Sequence, residues 1–542
     1  MTFIVLLLSA CSEDDTLKDT ESKDTSSTPI DSKYSISYKG LSTYNQELEF
    51  ANYGLPPLSN TEFNALKESE RLLIADKLLT TLFFGFPSAI LKEKIDSGVF
   101  ISTLFQDLQE KRTDIAQLES EIIDEEKYYR PSGESESIDI LSRFYAAKEL
   151  DRYFFNNWSA YILTQSIMFS PAYELDSSHA PNIARVYNRL VTLLEDEAGM
   201  RFITYIHMSS EDNWRRFRSP EDNGREMLEI YTYDANDTHV PIAATALQNW
   251  KLDKNNDTLV ISLNENTQPL SLFGTTIYNG DDFYREMVKS SDFTYGVVRR
   301  LVEFFFPESS AEKTASITQS IVSSKPETWQ GILKQIIFSK EYLLHTTKVK
   351  SAEETFFSFA KKIDYKTKTY TIFNFKRALE KMHQASMKYK LGKLDPVPLD
   401  TLSFANYSKY IREEVLLKYS EPAYETHYAS YARQGWSDSF ISMNHYEVEP
   451  FNGVNTLHNL INYLFNLIAI RDVTQDELAM FDTLMLQERS GVIEVADRFD
   501  TLNNRLNDDG IRLGEKYSRY VTYVVLDYLS RLEDTYIYKK VN

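Results

Sequence analysis

The chain has 542 residues, room for several domains at about 150 residues each. Its 59 Lys and Arg against 80 Asp and Glu leave a formal charge of −21, which excludes a nucleic-acid backbone as the natural partner. Only 17 Gly and 16 Pro beside 35 Tyr and 32 Phe disfavour a turn-dense β sandwich and predict a mainly α fold, a multi-helix globular bundle with small β-hairpins.

In chain order, the first segment is Met1 to Cys11, an apolar run closing on Leu-Ser-Ala-Cys. It resembles the bacterial lipobox, in which the Cys is acylated and the preceding residues are removed. The resemblance makes residues 1–11 a targeting segment and assigns the single cysteine to lipid attachment, which leaves no thiol for a disulfide or for nucleophilic catalysis. An n-region without Lys or Arg departs from the usual pattern. Residues 12–33 are acidic and lack aromatics until Tyr34, so they are predicted to be a solvated tether that holds the body near a membrane. Ser12 after the Cys resembles outer-membrane sorting, with surface and periplasmic orientations both open.

The body divides into an N-terminal helical region, 34–149, a central region, 150–345, and a C-terminal helical region, 346–542. Leu72, Leu73, Ala75, Leu78, Leu79 and Leu82 form one apolar stripe, and Leu104, Leu108, Ile115, Leu118 and Ile122 a second. Ser219-Pro220-Glu221-Asp222 supplies an N-cap, a proline at the first helical position and early acids, so a helix starts there. Thr258 to Leu263 and Leu270 to Phe273 read as two short strands of one hairpin. Tyr129 to Glu136 and Gly392 to Leu399 are the softest linkers.

Local catalytic signatures are lacking: no nucleophile elbow, no His-Glu-x-x-His and no phosphate-cradling glycine loop. Asp253-x-Asn255-x-Asp257 has the opening spacing of a calcium loop, but Thr258 stands in place of the turn glycine and Asn264 in place of the closing glutamate, so a polar loop is the expectation and no cofactor is implied. The five tryptophans, 158, 214, 250, 329 and 436, are read as core in preference to sugar-stacking faces.

Arg225-Glu226-Met227-Leu228-Glu229-Ile230-Tyr231-Thr232 resembles the Arg-Glu-Leu-x-Glu-Leu-x-Thr helix of the exported bacterial family termed domain of unknown function eighteen hundred. Further elements follow in that family's order: Tyr153 to Trp158, Met200 to Met208, Ala243 to Trp250, Leu272-Phe273-Gly274, Arg300 to Phe305 and Ile336 to Tyr342. The resemblance spans about Leu150 to Leu344 and implies a helical, exported protein with no established reaction. The chain departs from it at Asn156 and Asn157, where the family carries histidine, at Asp222, Asp234 and His239, at Glu265-Asn266 in place of a His-Asp pair, and at Leu270 in place of a Lys.

Arg225, Glu226, Glu229 and Thr232 survive those departures. Arg225 and Glu229 stand four apart on a helix, and Glu226 and Glu229 share a face, an arrangement suited to acid/base chemistry or to locking the helix against a neighbour. The structural reading is preferred, and it expects a buried group whose disruption destabilises the fold. The functional expectation is a lipid-anchored envelope protein, noncatalytic or degenerate, working as a scaffold or binding module with an envelope protein or polysaccharide as partner. The alternatives are a hydrolase of a glycan or glycan ester, with Glu226 and Glu229 as its carboxylates, and a SusD-like glycan-binding surface lipoprotein.

Overall fold

A computed structural model describes residues 37–38, 40–43, 46–85, 88–126, 135–147, 149–168, 183–234, 236–253, 258–362, 375, 379, 404–405, 408–409, 457–495, 506–507, 510–511 and 524–541. The chain is predominantly α-helical, and the strands among the described residues form two-stranded antiparallel pairs, in keeping with the few glycines and the amphipathic stripes. Two compact units share it. The first takes the chain up to Pro57 and Asn156–Ser339; the second takes Leu58–Phe155, Lys340–Ala385 and Pro396–Asn542. The greater parts of the regions 34–149 and 346–542, read separately in the sequence, fall in the second unit, while the chain up to Pro57 belongs to the first.

The first unit is organised on the Pro220–Thr232 helix. Ser219 caps it, its side chain accepting from the Asp222 amide at 3.1 Å, and Pro220 fills the first helical position. Met227, Leu228, Ile230 and Tyr231 are buried. Two helices approach its backbone where a glycine permits. A Cβ on Gly224 would lie 2.7 Å from the Ala243 Cβ of the Val240–Ala246 helix, and a Cβ on Gly296 of the Ser291–Phe305 helix would lie 2.4 Å from the Tyr231 carbonyl oxygen. Side chains extend the same joint, since Trp214 Nε1 donates to the Tyr284 hydroxyl at 3.0 Å and Tyr284 donates to Asn223 Oδ1 at 2.7 Å. Trp250 stacks on Trp214 with ring centroids 5.9 Å apart.

The single hairpin expected from Thr258 to Phe273 is two hairpins. Trp250–Asp253 pairs with Thr258–Ile261, and Leu270–Leu272 pairs with Thr275–Ile277. Loop closure explains the choice. The polar stretch from Asn264 to Pro269 is a long connection, whereas Phe273 and Gly274 close a two-residue turn with φ of 55° and 71°, the conformation that matches strand twist. Asn266 braces the second hairpin by donating to the carbonyls of Gln268 at 2.6 Å and Tyr278 at 2.8 Å.

The second unit packs the Glu68–Thr81 helix against the Ala352–Lys362 helix. The predicted first stripe is its inner face: Ala75, Leu78, Leu79 and Leu82 are buried, with Leu72 and Leu73 half-buried. Phe83, Phe84, Phe144, Phe154 and Phe357 interlock nearby in edge and stacked contacts. The second stripe is divided between two helices, Phe100–Asp107 and Ile115–Glu126. The break falls between Asp107 and Ile115, and within it Arg112 Nε donates to Asp151 Oδ2 at 2.6 Å. A clasp between Lys348–Val349 and Ile537–Tyr538 joins distant parts of the sequence, with Ile537 opposite Val349 and Tyr538 opposite Lys348.

Gly296→Ala is expected to lower unfolding free energy by about 1–3 kcal/mol, because the added methyl meets backbone that has to move. A urea midpoint equal to that of the unsubstituted protein would contradict the close approach.

Candidate functional site

The helix singled out in the sequence carries its polar residues on a half-buried face. Arg225, Glu226 and Glu229 are all partly exposed, and the Arg225 side chain keeps 40% of its surface in solvent. This corrects the expectation of a sealed ion pair. Arg225 Nη1 donates to Asp237 Oδ1 at 2.7 Å, and its Nη2 lies 3.9 Å from Glu221 Oε1. The Asp237 hydrogen bond leads the influences that push the guanidinium pKa up, with Glu229 contributing through space. The partner is Asp237 because the left-handed Tyr233, at φ 58°, turns the chain back along the helix and Asp237 comes beside Arg225.

The loop after that helix is braced from several sides. Tyr233 lies under two guanidiniums, those of Arg299 and Arg300, at 4.3 and 4.7 Å from its ring centroid, and donates to Glu303 Oε1 at 2.6 Å. Arg300 Nη2 donates to the Glu229 carbonyl at 2.8 Å. Asp234 and His239, two of the departures from the resembled family, meet each other through Oδ2 and Nδ1. Thr232 donates to the Leu228 carbonyl at 2.7 Å within its own helix. Asn279 Nδ2 donates to Glu265 Oε2 at 3.2 Å.

Asp253 ends the Trp250–Asp253 strand, while Asn255, Asp257, Cys11 and Trp436 lie outside the described residues. Trp158, Trp214, Trp250 and Trp329 are buried, so none presents a sugar-stacking face.

A second constellation, absent from the sequence reading, lies inside the second unit. Asp76 and Lys77 come from the Glu68–Thr81 helix, Lys348 and Lys350 from the clasp strand and its end, and Glu354 and Lys362 from the Ala352–Lys362 helix; all six are buried. Lys362 Nζ lies 2.6 Å from Asp76 Oδ1, and Lys348 Nζ lies 3.2 Å from Glu354 Oε1. Lys77 Nζ donates to the Thr346 carbonyl at 2.6 Å and sits 5.1 Å from the Tyr342 ring centroid. A π-helical turn, Glu341–His345, carries Tyr342 and leads directly to that carbonyl. Thr81 and Tyr342 share a 2.7 Å hydrogen bond through their hydroxyls.

Burial dominates the electrostatics here. It pulls Lys77 down to about 7, assisted by the charges of Lys348 and Lys540, and pulls Lys350 down to about 8. The tyrosines move the other way, with burial raising Tyr342 and Tyr538 well above the ordinary phenol range. The group therefore holds amines that change protonation near neutral pH beside phenols that stay protonated. The alternation of Lys348 and Lys350 was the one sequence signal, since residues two apart on a strand share a face. Its partners come from segments too distant for spacing to reveal.

Asp76→Asn is expected to cost about 3–5 kcal/mol, because it leaves the Lys362 ammonium buried without its counter-charge. Arg225→Ala, at a half-buried position whose ion pairs reach into solvent, is expected to leave the thermal melt close to that of the parent. Calorimetry of the two variants tests both, and the reverse ranking would overturn the contrast. Comparison with family models, curated proteins and solved structures finds no match to this chain.

Proposed function

We propose that the protein is a noncatalytic scaffold or binding module of the bacterial cell envelope, tethered through a lipid on Cys11 and divergent from the family it resembles. The observation that carries this reading is the commitment of two of the surviving polar residues, Arg225 and Thr232, and of the loop that follows them, to bracing. Arg225 is held by Asp237 and Glu221, Thr232 by its own helix, and in the loop His239 meets Asp234. A catalytic helix presents such groups to a substrate; these hold a helix and its following loop in one shape. The acidic, aromatic-free stretch behind Cys11 supports the tether, and an envelope protein or polysaccharide is the partner that location offers. Glu226 and Glu229 are partly exposed on one face, which favours a glycan or glycan-ester hydrolase as the second reading.

Cell fractionation tests the anchor. The intact protein should sediment with membranes, and Cys11→Ser should be released or remain unprocessed; an unmodified cysteine in a soluble protein would overturn it. Incubation of the purified protein with cell-wall polysaccharide separates the two readings: retention without new reducing ends or freed ester acid supports the module, while release lost in Glu226→Gln or Glu229→Gln establishes the hydrolase.

A further inference from the structure

The Ile537–Tyr538 strand is held by little backbone. Beyond its two-residue ladder with Lys348–Val349, the Lys350 amide donates to the Tyr536 carbonyl at 2.7 Å and the Val541 amide to the Leu344 carbonyl at 3.0 Å. What fixes it is the buried Tyr538 side chain, which lies against three ammonium nitrogens: Lys350 at 5.3 Å, Lys348 at 5.5 Å and Lys77 at 5.8 Å from the ring centroid. Thr81 Oγ1 donates to the Tyr538 hydroxyl at 3.4 Å.

The carboxylates around this ring are already engaged. Glu354 meets Lys348, Asp76 meets Lys362, and the Asp534 side chain meets Lys539 and Arg471, offering Lys350 only its backbone carbonyl at 3.4 Å. Glu353 is buried on the same helix as Glu354, and Lys540 adds positive charge from the strand side. Among the described residues, Lys77 and Lys350 thus have no carboxylate within ion-pairing distance, although Asp76, Glu354 and Asp534 act on Lys350 from further away.

We propose that this clasp is a proton-sensitive latch, in which protonation of the Lys77 and Lys350 amines favours release of the Ile537–Tyr538 strand and their deprotonation favours closure. A charged amine gains less from a tyrosine face than it loses by leaving water without a counter-ion, so desolvation wins. The downward displacement of Lys77 and Lys350, led in both by burial, has the sign that balance requires. Once the strand lifts, the amines return to water and to the ordinary lysine range. Between about pH 7 and the free-lysine value near 10.5 the open form binds more protons, so opening grows as pH falls across that window and levels off below it.

Hydrogen exchange of the full chain, corrected for the intrinsic pH dependence of exchange, reads the opening directly at the Lys350 amide and at residues 536–541. The opening constant is expected to rise at least about tenfold from pH 8.5 to pH 7.0, and Lys77→Met to reduce that rise to about fourfold, the share left to Lys350. A wild-type opening constant that differs less than about twofold between the two pH values would overturn the latch, as would a Lys77→Met protein keeping the whole rise. The wild-type measurement decides alone should the variant fail to fold.

Discussion

An ammonium taken out of water has to be met by a carboxylate, a carbonyl or an aromatic face, and the second unit meets that demand with a carboxylate at Lys362 and Lys348 and only in part at Lys77. Lys362 has Asp76, Lys348 has Glu354, and Lys77 has the Thr346 carbonyl and two tyrosine rings. Each solution ties together segments distant in sequence. The Glu68–Thr81 helix cannot sit flush against the Ala352–Lys362 helix unless the Asp76 and Lys362 charges arrive together, and the π-helical turn at Glu341–His345 brings the Thr346 carbonyl into reach. Specificity rather than net stability is the natural product of such pairs, since well-packed apolar residues of similar volume often do as well.

The first unit answers to a different constraint. Its helices approach by omitting side chains, at Gly224 and Gly296, and three of its buried polar side chains satisfy one another in a short relay from Trp214 through Tyr284 to Asn223. Charge collects at the rim, where the left-handed Tyr233 and its two arginines hold the loop after the Pro220–Thr232 helix. Residues 225–232, singled out in the sequence, thus sit at a joint.

Patterns of short range were legible in the sequence. The Ser219 cap, the stripe on the Glu68–Thr81 helix and the helical class are consequences of local period and composition, and they stand in the structure as read. Errors arose where two local solutions competed. The second apolar stripe kept its spacing past Asp107, yet one helix ends there and another begins at Ile115. Leu270–Leu272 had a plausible earlier partner in Thr258–Ile261, but a two-residue turn offered a nearer one. The ion pair expected between Arg225 and Glu229 gave way to Asp237 because spacing along a helix says nothing about the loop that folds back on it. The lysine constellation was out of reach for the same reason, being assembled wholly from tertiary neighbours.

The interleaving of the two units sets an order on synthesis. Residues 156–339 emerge as one stretch, so most of the first unit's helices have their partners as soon as they leave the ribosome. Leu58–Phe155 has no such fortune: its phenylalanine cluster and the Asp76 carboxylate wait for Phe357 and Lys362, and the clasp waits for Tyr538. At roughly 5–20 residues per second, that wait lasts on the order of tens of seconds. Through that interval the aliphatic and charged inner face of the Glu68–Thr81 helix stands without the cover of the Ala352–Lys362 helix, a surface of the kind a holding chaperone shields.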